Sequence, residues 1–272
     1  MLASFLITFR EGLEAFLIVG IILSYLGKLQ ATRFNKFIYL GVIIGIIVSL
    51  FIAYIFQVVI YGMDNELYQH YLMIFILLFA TVVLSYMVVW MANQSKQIKG
   101  EIEENLKKLV TTGNILGMVF LAFLAVLREG FETVLFFSSL TLTEGFTMEQ
   151  GLIGAVIGLF LSLVLVYILM KGARNIPLQS FFKYTGLLIL IIAGGLFGSA
   201  ISMMQAAELL PTVIPVVYDI SFILDDRGLF GTFLRALFGY NSSPTLLHLV
   251  SWSFYMLTAI FLWKRTYSYA KV

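Results

Sequence analysis

Seven apolar stretches, near residues 2–26, 37–60, 71–92, 114–141, 150–170, 184–206 and 245–263, take up most of this chain. A bilayer core about 30 Å thick is crossed by roughly 20 apolar residues in a helix, so each stretch is long enough to span one. Between them, only 12% of the residues are charged, against about 25% in an ordinary soluble domain. The mean hydropathy of +0.99 excludes a soluble globular class. The predicted fold is an all-α integral membrane protein with seven transmembrane helices in a single transmembrane domain, 1–272. Met1 to Phe9 lacks the basic segment of a secretory signal and reads as the start of the first span. A net charge of +2 is too small to suggest nucleic acid as a partner, and the lipid bilayer is the partner that composition implies. With no cysteine, disulfides and thiolate metal sites are impossible.

The connections sort by charge. Lys28, Arg33, Lys36, Lys96, Lys99, Lys107, Lys108, Lys171, Arg174, Lys183, Lys264, Arg265 and Lys271 fall on one side, and only Arg227 and Arg235 on the other. The positive-inside rule therefore predicts an N-terminus outside and a C-terminus in the cytoplasm. Acidic residues lean the other way: Asp64, Glu66, Glu144, Glu149, Glu208, Asp219, Asp225 and Asp226 lie outside, while Glu101, Glu103 and Glu104 lie inside. Solvated loops explain the outer group without a cation-collecting role. Residues 95–109 alternate charge at helical spacing and are expected along the inner surface. Residues 207–244, broken by Pro211 and Pro215, form an outer loop expected as a lid or an interfacial hairpin.

The chain repeats itself. Phe5 to Glu14 matches Phe123 to Glu132 without a gap at an offset of 118. In the following spans Gly41, Gly45, Ser49 and Tyr54 recur as Gly154, Gly158, Ser162 and Tyr167 at a constant offset of 113. Tyr71 and Tyr184 align the third spans more weakly. Three spans separate the copies, so their directions across the membrane are opposite. The expectation is a three-plus-three inverted repeat, with repeat one at about 1–92, repeat two at about 114–206 and an extra seventh helix at about 245–263. The glycine pairs let helices approach closely.

Six charges lie within spans: Arg10, Glu11 and Glu14 in the first, Arg128, Glu129 and Glu132 in the fourth. At about 2.5 to 3.5 kcal/mol each near the bilayer centre, they must face one another, a cavity or an ion. Residues three apart share a helix face, so Glu11 with Glu14, and Glu129 with Glu132, each present two carboxylates to one point. Arg10 reaches Glu14 four residues on, and Arg128 reaches Glu132. Gly12 and Gly130 leave bare backbone beside each pair. If the copies meet at one depth, four glutamates and two arginines carry a surplus of two negative charges, which a cation would relieve. Buried ion pairs that fix helix packing are the competing explanation, although one Glu per motif would suffice for that. Carboxylate oxygens suit hard ions such as Fe(III), Mn(II), Ca(II) or Mg(II).

Arg10-Glu11-Gly12-Leu13-Glu14 and Arg128-Glu129-Gly130-Phe131-Glu132 resemble the paired Arg-Glu-x-x-Glu motifs in the first and fourth spans of the oxidase-dependent iron transporter family. That family includes fungal high-affinity iron permeases, partnered by a multicopper ferroxidase, and bacterial permeases. The resemblance covers most of the chain. It implies an iron permease, not an enzyme, moving Fe(II) or Fe(III) across the cytoplasmic membrane. It also implies metal ligation by Glu11, Glu14, Glu129 and Glu132, supported by ion pairs to Arg10 and Arg128. Iron is then the transported substrate, no bound organic cofactor is expected, and a separate ferroxidase or extracytoplasmic iron-binding protein is the expected partner. Homo-oligomerisation is left open. Another hard divalent cation such as Mn(II), or a membrane-embedded metalloenzyme, stand as alternatives.

Other residues carry weaker signals. His70 and His248, near outer span ends, read as interfacial hydrogen-bonding groups. Met203, Met204 and Gln205 close the sixth span, and the thioethers read as packing. Trp90, Trp252 and Trp263 read as interfacial anchors.

Overall fold

The computed structural model describes residues 2–62, 66–94, 98–142, 147–171, 178–226 and 228–269. Some charges in the connections, among them Asp64, Lys96, Glu144, Arg174, Arg227 and Lys271, lie outside the described residues. The described elements are α1 (Leu2–Lys28), a 3-10 turn (Thr32–Phe34), α2 (Asn35–Tyr61), α3 (Glu66–Gln94), α4 (Ile98–Thr112) and α5 (Ile115–Thr141). They continue through α6 (Met148–Lys171), α7 (Leu178–Ala206), α8 (Leu229–Phe238) and α9 (Leu246–Tyr269), with no strand among the described residues. Five stretches are long and apolar enough to cross a membrane: Thr32–Val59, Leu67–Met91, Met148–Lys171, Lys183–Ala206 and Leu246–Tyr267. The chain is thus a multi-pass membrane protein. At 27 residues each, α1 and α5 match these in length, and their embedded charges set them apart.

The helices pair in a pattern that follows the repeat. α1 packs chiefly on α6, α2 on α5, and α3 on α7. Thr8 meets Gly158, Gly12 meets Ser162 and Gly20 meets Met170, so α1 and α6 run in the same direction. In α2 and α5, Gly41 meets Ala122, Gly45 meets Val126 and Ser49 meets Gly130, again in step. Since lipid is as apolar as leucine, close packing of small residues holds such helices together. α3 and α7 run oppositely, with Val88 against Gly186 and the Thr81 hydroxyl donating to the Ala193 carbonyl at 3.4 Å. The outer faces of α2 and α6, including Ile47, Leu50, Tyr54, Phe160, Leu163 and Tyr167, are exposed.

Two apolar clusters lie above and below the embedded charges. One joins Ala3 and Ile7 at the start of α1 to Phe136 and Leu140 near the end of α5, with α3, α7 and α9. The other joins Ile22 and Leu26 at the end of α1 to Met118 and Ala122 at the start of α5. α1 and α5 therefore run antiparallel, and residues 10–14 and 129–132 fall between the clusters. Leu106 of α4 is fully buried in the second cluster, which holds α4 across the ends of α1, α2 and α5. On the solvent side of α4, the Lys108 ammonium stands 2.8 Å from Glu104 and holds that carboxyl below its usual range. Gly113, at φ +63, ends α4, and Asn114 caps α5 by accepting from the Gly117 amide at 2.9 Å.

The segment expected as a lid or an interfacial hairpin folds back beside α7. The amides of Val217 and Ile220 donate to the Pro244 and Ser242 carbonyls, each at 3.0 Å, and α8 then tucks inward. Gly239, at φ +66, ends α8 against Gly195. Gly195 lies eleven residues before the end of α7, about 16 Å along its axis. Backbone at such depth needs protein partners. Trp252 Nε1 supplies one, donating to the Phe238 carbonyl at 2.9 Å.

Candidate metal centre

α1 and α5 bring their motif charges together between the two apolar clusters. Arg10, Glu11, Glu14, Glu129 and Glu132 are all buried. Arg10 Nη1 lies 2.7 Å from Glu11 Oε1, and Nη2 lies 3.0 Å from Glu14 Oε1. Arg128 Nε lies 3.3 Å from Glu132 Oε1 and 3.6 Å from Glu129 Oε1. The pairs four residues apart agree with the helical spacing. The contacts between adjacent residues were not anticipated from it, because neighbours in sequence do not face each other on a helix.

Glu11, Glu14 and Glu129 each offer a carboxylate oxygen, and the three oxygens lie within 4.8 Å of one another. Glu132 is buried one turn from Glu129 and stands beside this trio, turned to Arg128. Glu11 Oε2, Glu129 Oε2 and Glu132 Oε2 are buried and make no hydrogen bond. A buried carboxylate oxygen without a partner is costly. Four carboxylates facing two guanidinium groups leave a formal surplus of two negative charges when ionised. The set is one that a hard cation would complete.

Close helix approach positions these groups. A side chain on Gly12 would meet Leu159 and Ser162 of α6, and one on Gly130 would meet Ser49 of α2. The bare faces beside the glutamates are thereby filled by small residues that also recur in the repeat.

Other residues singled out from sequence have different surroundings. His248 is buried, with Nδ1 2.8 Å from Ser202 Oγ, and His70 is exposed. Met203 packs beside the first apolar cluster, and Gln205 accepts from the Thr245 hydroxyl at 2.7 Å. Trp252 and Trp263 donate to backbone carbonyls at Phe238 and Lys183. Trp90 lies under the Arg128 guanidinium, with Cζ 4.1 Å from the ring centroid. Met87 Sδ stands 3.7 Å from Arg10 Nη1. Neither contact has a sequence signal, since α3 carries no motif of its own.

The chain is similar to permeases of several bacteria. The ferrous iron permease EfeU of Escherichia coli O6:K15:H31 (strain 536 / UPEC) is 34% identical over 265 residues, covering 96% of this chain and 94% of the relative. EfeU of Shigella sonnei (strain Ss046) matches to the same extent. EfeU of Yersinia pestis is 34% identical over 267 residues, covering 96% and 93%. No solved structure matches the chain. Residues 1–270 match the Iron permease FTR1 family, and the chain belongs to that family.

Proposed function

We propose that this chain is an iron permease of the cytoplasmic membrane, in which Glu11, Glu14, Glu129 and Glu132 form one transport site and Arg10 and Arg128 support it. The observation that carries this reading is the trio of buried carboxylate oxygens from Glu11, Glu14 and Glu129, beside three buried oxygens that make no hydrogen bond. Glutamates that served packing alone would need no surplus over the arginines. The relatives, named as ferrous iron permeases, supply the identity of the cation.

Around this site we read seven spans, α1, α2, α3, α5, α6, α7 and α9, with the N-terminus outside and the C-terminus cytoplasmic. The antiparallel course of α1 and α5, and the parallel pairing of α1 with α6 and of α2 with α5, support a three-plus-three inverted repeat. Such a repeat places a transporter site near the midplane between its halves. A separate ferroxidase or extracytoplasmic iron-binding protein is the partner that the resemblance implies. Uptake into proteoliposomes, with Fe(II), Fe(III) and Mn(II) compared, tests the reading. We expect iron flux that Glu14→Ala abolishes. Absence of iron flux would sink it, and Mn(II) flux above that of iron would move the substrate to another hard cation.

A further inference from the structure

Met87 and Trp90 stand three residues apart on α3, so they share a face of that helix about 4.5 Å apart along its axis. Each meets one motif arginine: Met87 touches Arg10 and Trp90 stacks on Arg128. The two arginines recur alike in sequence but are held differently. The Arg10 side chain is 1% exposed and sets two nitrogens against Glu11 and Glu14, at 2.7 and 3.0 Å. The Arg128 side chain is 37% exposed, and its nearest approach to Glu132 and Glu129 is by Nε, at 3.3 and 3.6 Å. A guanidinium open to that degree is expensive in hydrocarbon, so its open side calls for water or a polar partner.

An arginine gains most from a carboxylate when its planar fork makes parallel bonds. Arg10 spreads its two terminal nitrogens over two carboxylates. The Arg128 fork instead lies over the indole, whose face attracts the same positive charge. Glu129 and Glu132 each keep a buried oxygen with no hydrogen bond, as Glu11 does beside Arg10.

We propose that Trp90 is a positioning residue for iron binding: by holding Arg128 on its face, it keeps that guanidinium from closing over Glu129 and Glu132 and leaves their oxygens to the cation. Without the aromatic face, Arg128 turns its fork onto these carboxylates and competes with the metal. The inference rests on the proposed site.

The test uses the purified full chain in lipid nanodiscs, with anaerobic Fe(II) titrated against a chromogenic chelator. Trp90→Phe keeps an aromatic face and is expected to bind Fe(II) within about twofold of the unmodified chain. Trp90→Leu is close to Trp90→Phe in volume but lacks that face and is expected to weaken binding about tenfold. Trp90→Tyr restores an aromatic face of another shape and is expected to bind as Trp90→Phe does. A loss that is merely one of packing would separate the Tyr and Phe variants as much as it separates either from Leu. Equal affinities for the Phe and Leu variants, or a Tyr variant as weak as Leu, would overturn the proposal. If Trp90→Leu does not give monodisperse protein, Trp90→Met takes its place, since its flexible thioether fills irregular gaps. Failure of the unmodified chain to bind Fe(II), or unchanged binding by Glu14→Gln, would instead sink the site itself.

Discussion

Gly130 lies against Ser49, with the Ser49 Cβ only 2.7 Å from where a side chain on Gly130 would begin. Gly130 sits between Glu129 and Glu132, so this contact sets how far the α5 carboxylates stand from α2. Gly130→Ala is expected to cost about 1–3 kcal/mol by overpacking and to lower iron uptake by displacing Glu129. Ser49→Gly in the same chain opens the space and is expected to recover both. Thermal unfolding of the detergent-solubilised protein, beside uptake, reads the two effects. Unchanged stability and uptake in Gly130→Ala would show that the contact does not set the crossing.

Much of this site was legible in the sequence because charge is so costly in a bilayer. Arg10, Glu11, Glu14, Arg128, Glu129 and Glu132 stood out against their apolar neighbours, and their spacing put the glutamates of each motif on one face. The recurrence of Gly45 and Ser49 as Gly158 and Ser162 marked where helices approach, although not which helix each would meet. What could not be read was whatever depends on contact between distant segments. Trp90 and Arg128 are 38 residues apart, and nothing near Trp90 distinguishes it from an interfacial anchor. α8, at 10 residues, is too short for its pattern to separate a helix that ends against α7 from a surface turn.

The end of α8 depends on the glycine that caps it. Gly239 has φ +66, and a Cβ there would fall 2.5 Å from the Gly195 Cα. Gly239→Ala is expected to cost about 1–2 kcal/mol for the left-handed backbone and about 1–3 kcal/mol more for the collision. Gly113 supplies the control, because its φ is +63 and no atom lies within 4 Å of the corresponding position. Gly113→Ala should therefore lower the unfolding temperature less than Gly239→Ala. Equal shifts would mean that α8 moves aside without loss.

The absence of cysteine makes the orientation directly measurable. Lys107 on α4 and Thr212 beyond α7 are both exposed. In intact cells Thr212→Cys is expected to react with a membrane-impermeant maleimide. Lys107→Cys is expected to react only after permeabilisation. The reverse pattern would place the N-terminus in the cytoplasm and turn the site's two approaches around.

The sharpest test separates a metal site from a structural ion pair at Arg10 and Glu14, which stand 3.0 Å apart and buried. Removing one partner of a buried pair leaves an uncompensated charge, at about 3–5 kcal/mol. Loss of folding in Glu14→Ala alone is therefore ambiguous. Glu14→Gln keeps the volume and leaves Arg10 its other partner, Glu11, 2.7 Å away, so that no charge is stranded. Were the pair structural, this variant would keep both folding and transport. A ligand role for Glu14 instead predicts a folded, monodisperse protein that neither binds nor transports iron. Glu14 and Glu132 should also act as a unit, so that Glu14→Ala and Glu132→Ala each abolish most uptake and their combination adds little. Near-normal uptake by the folded Glu14→Gln variant would remove Glu14 from the site, because nothing else in that chain replaces its carboxylate.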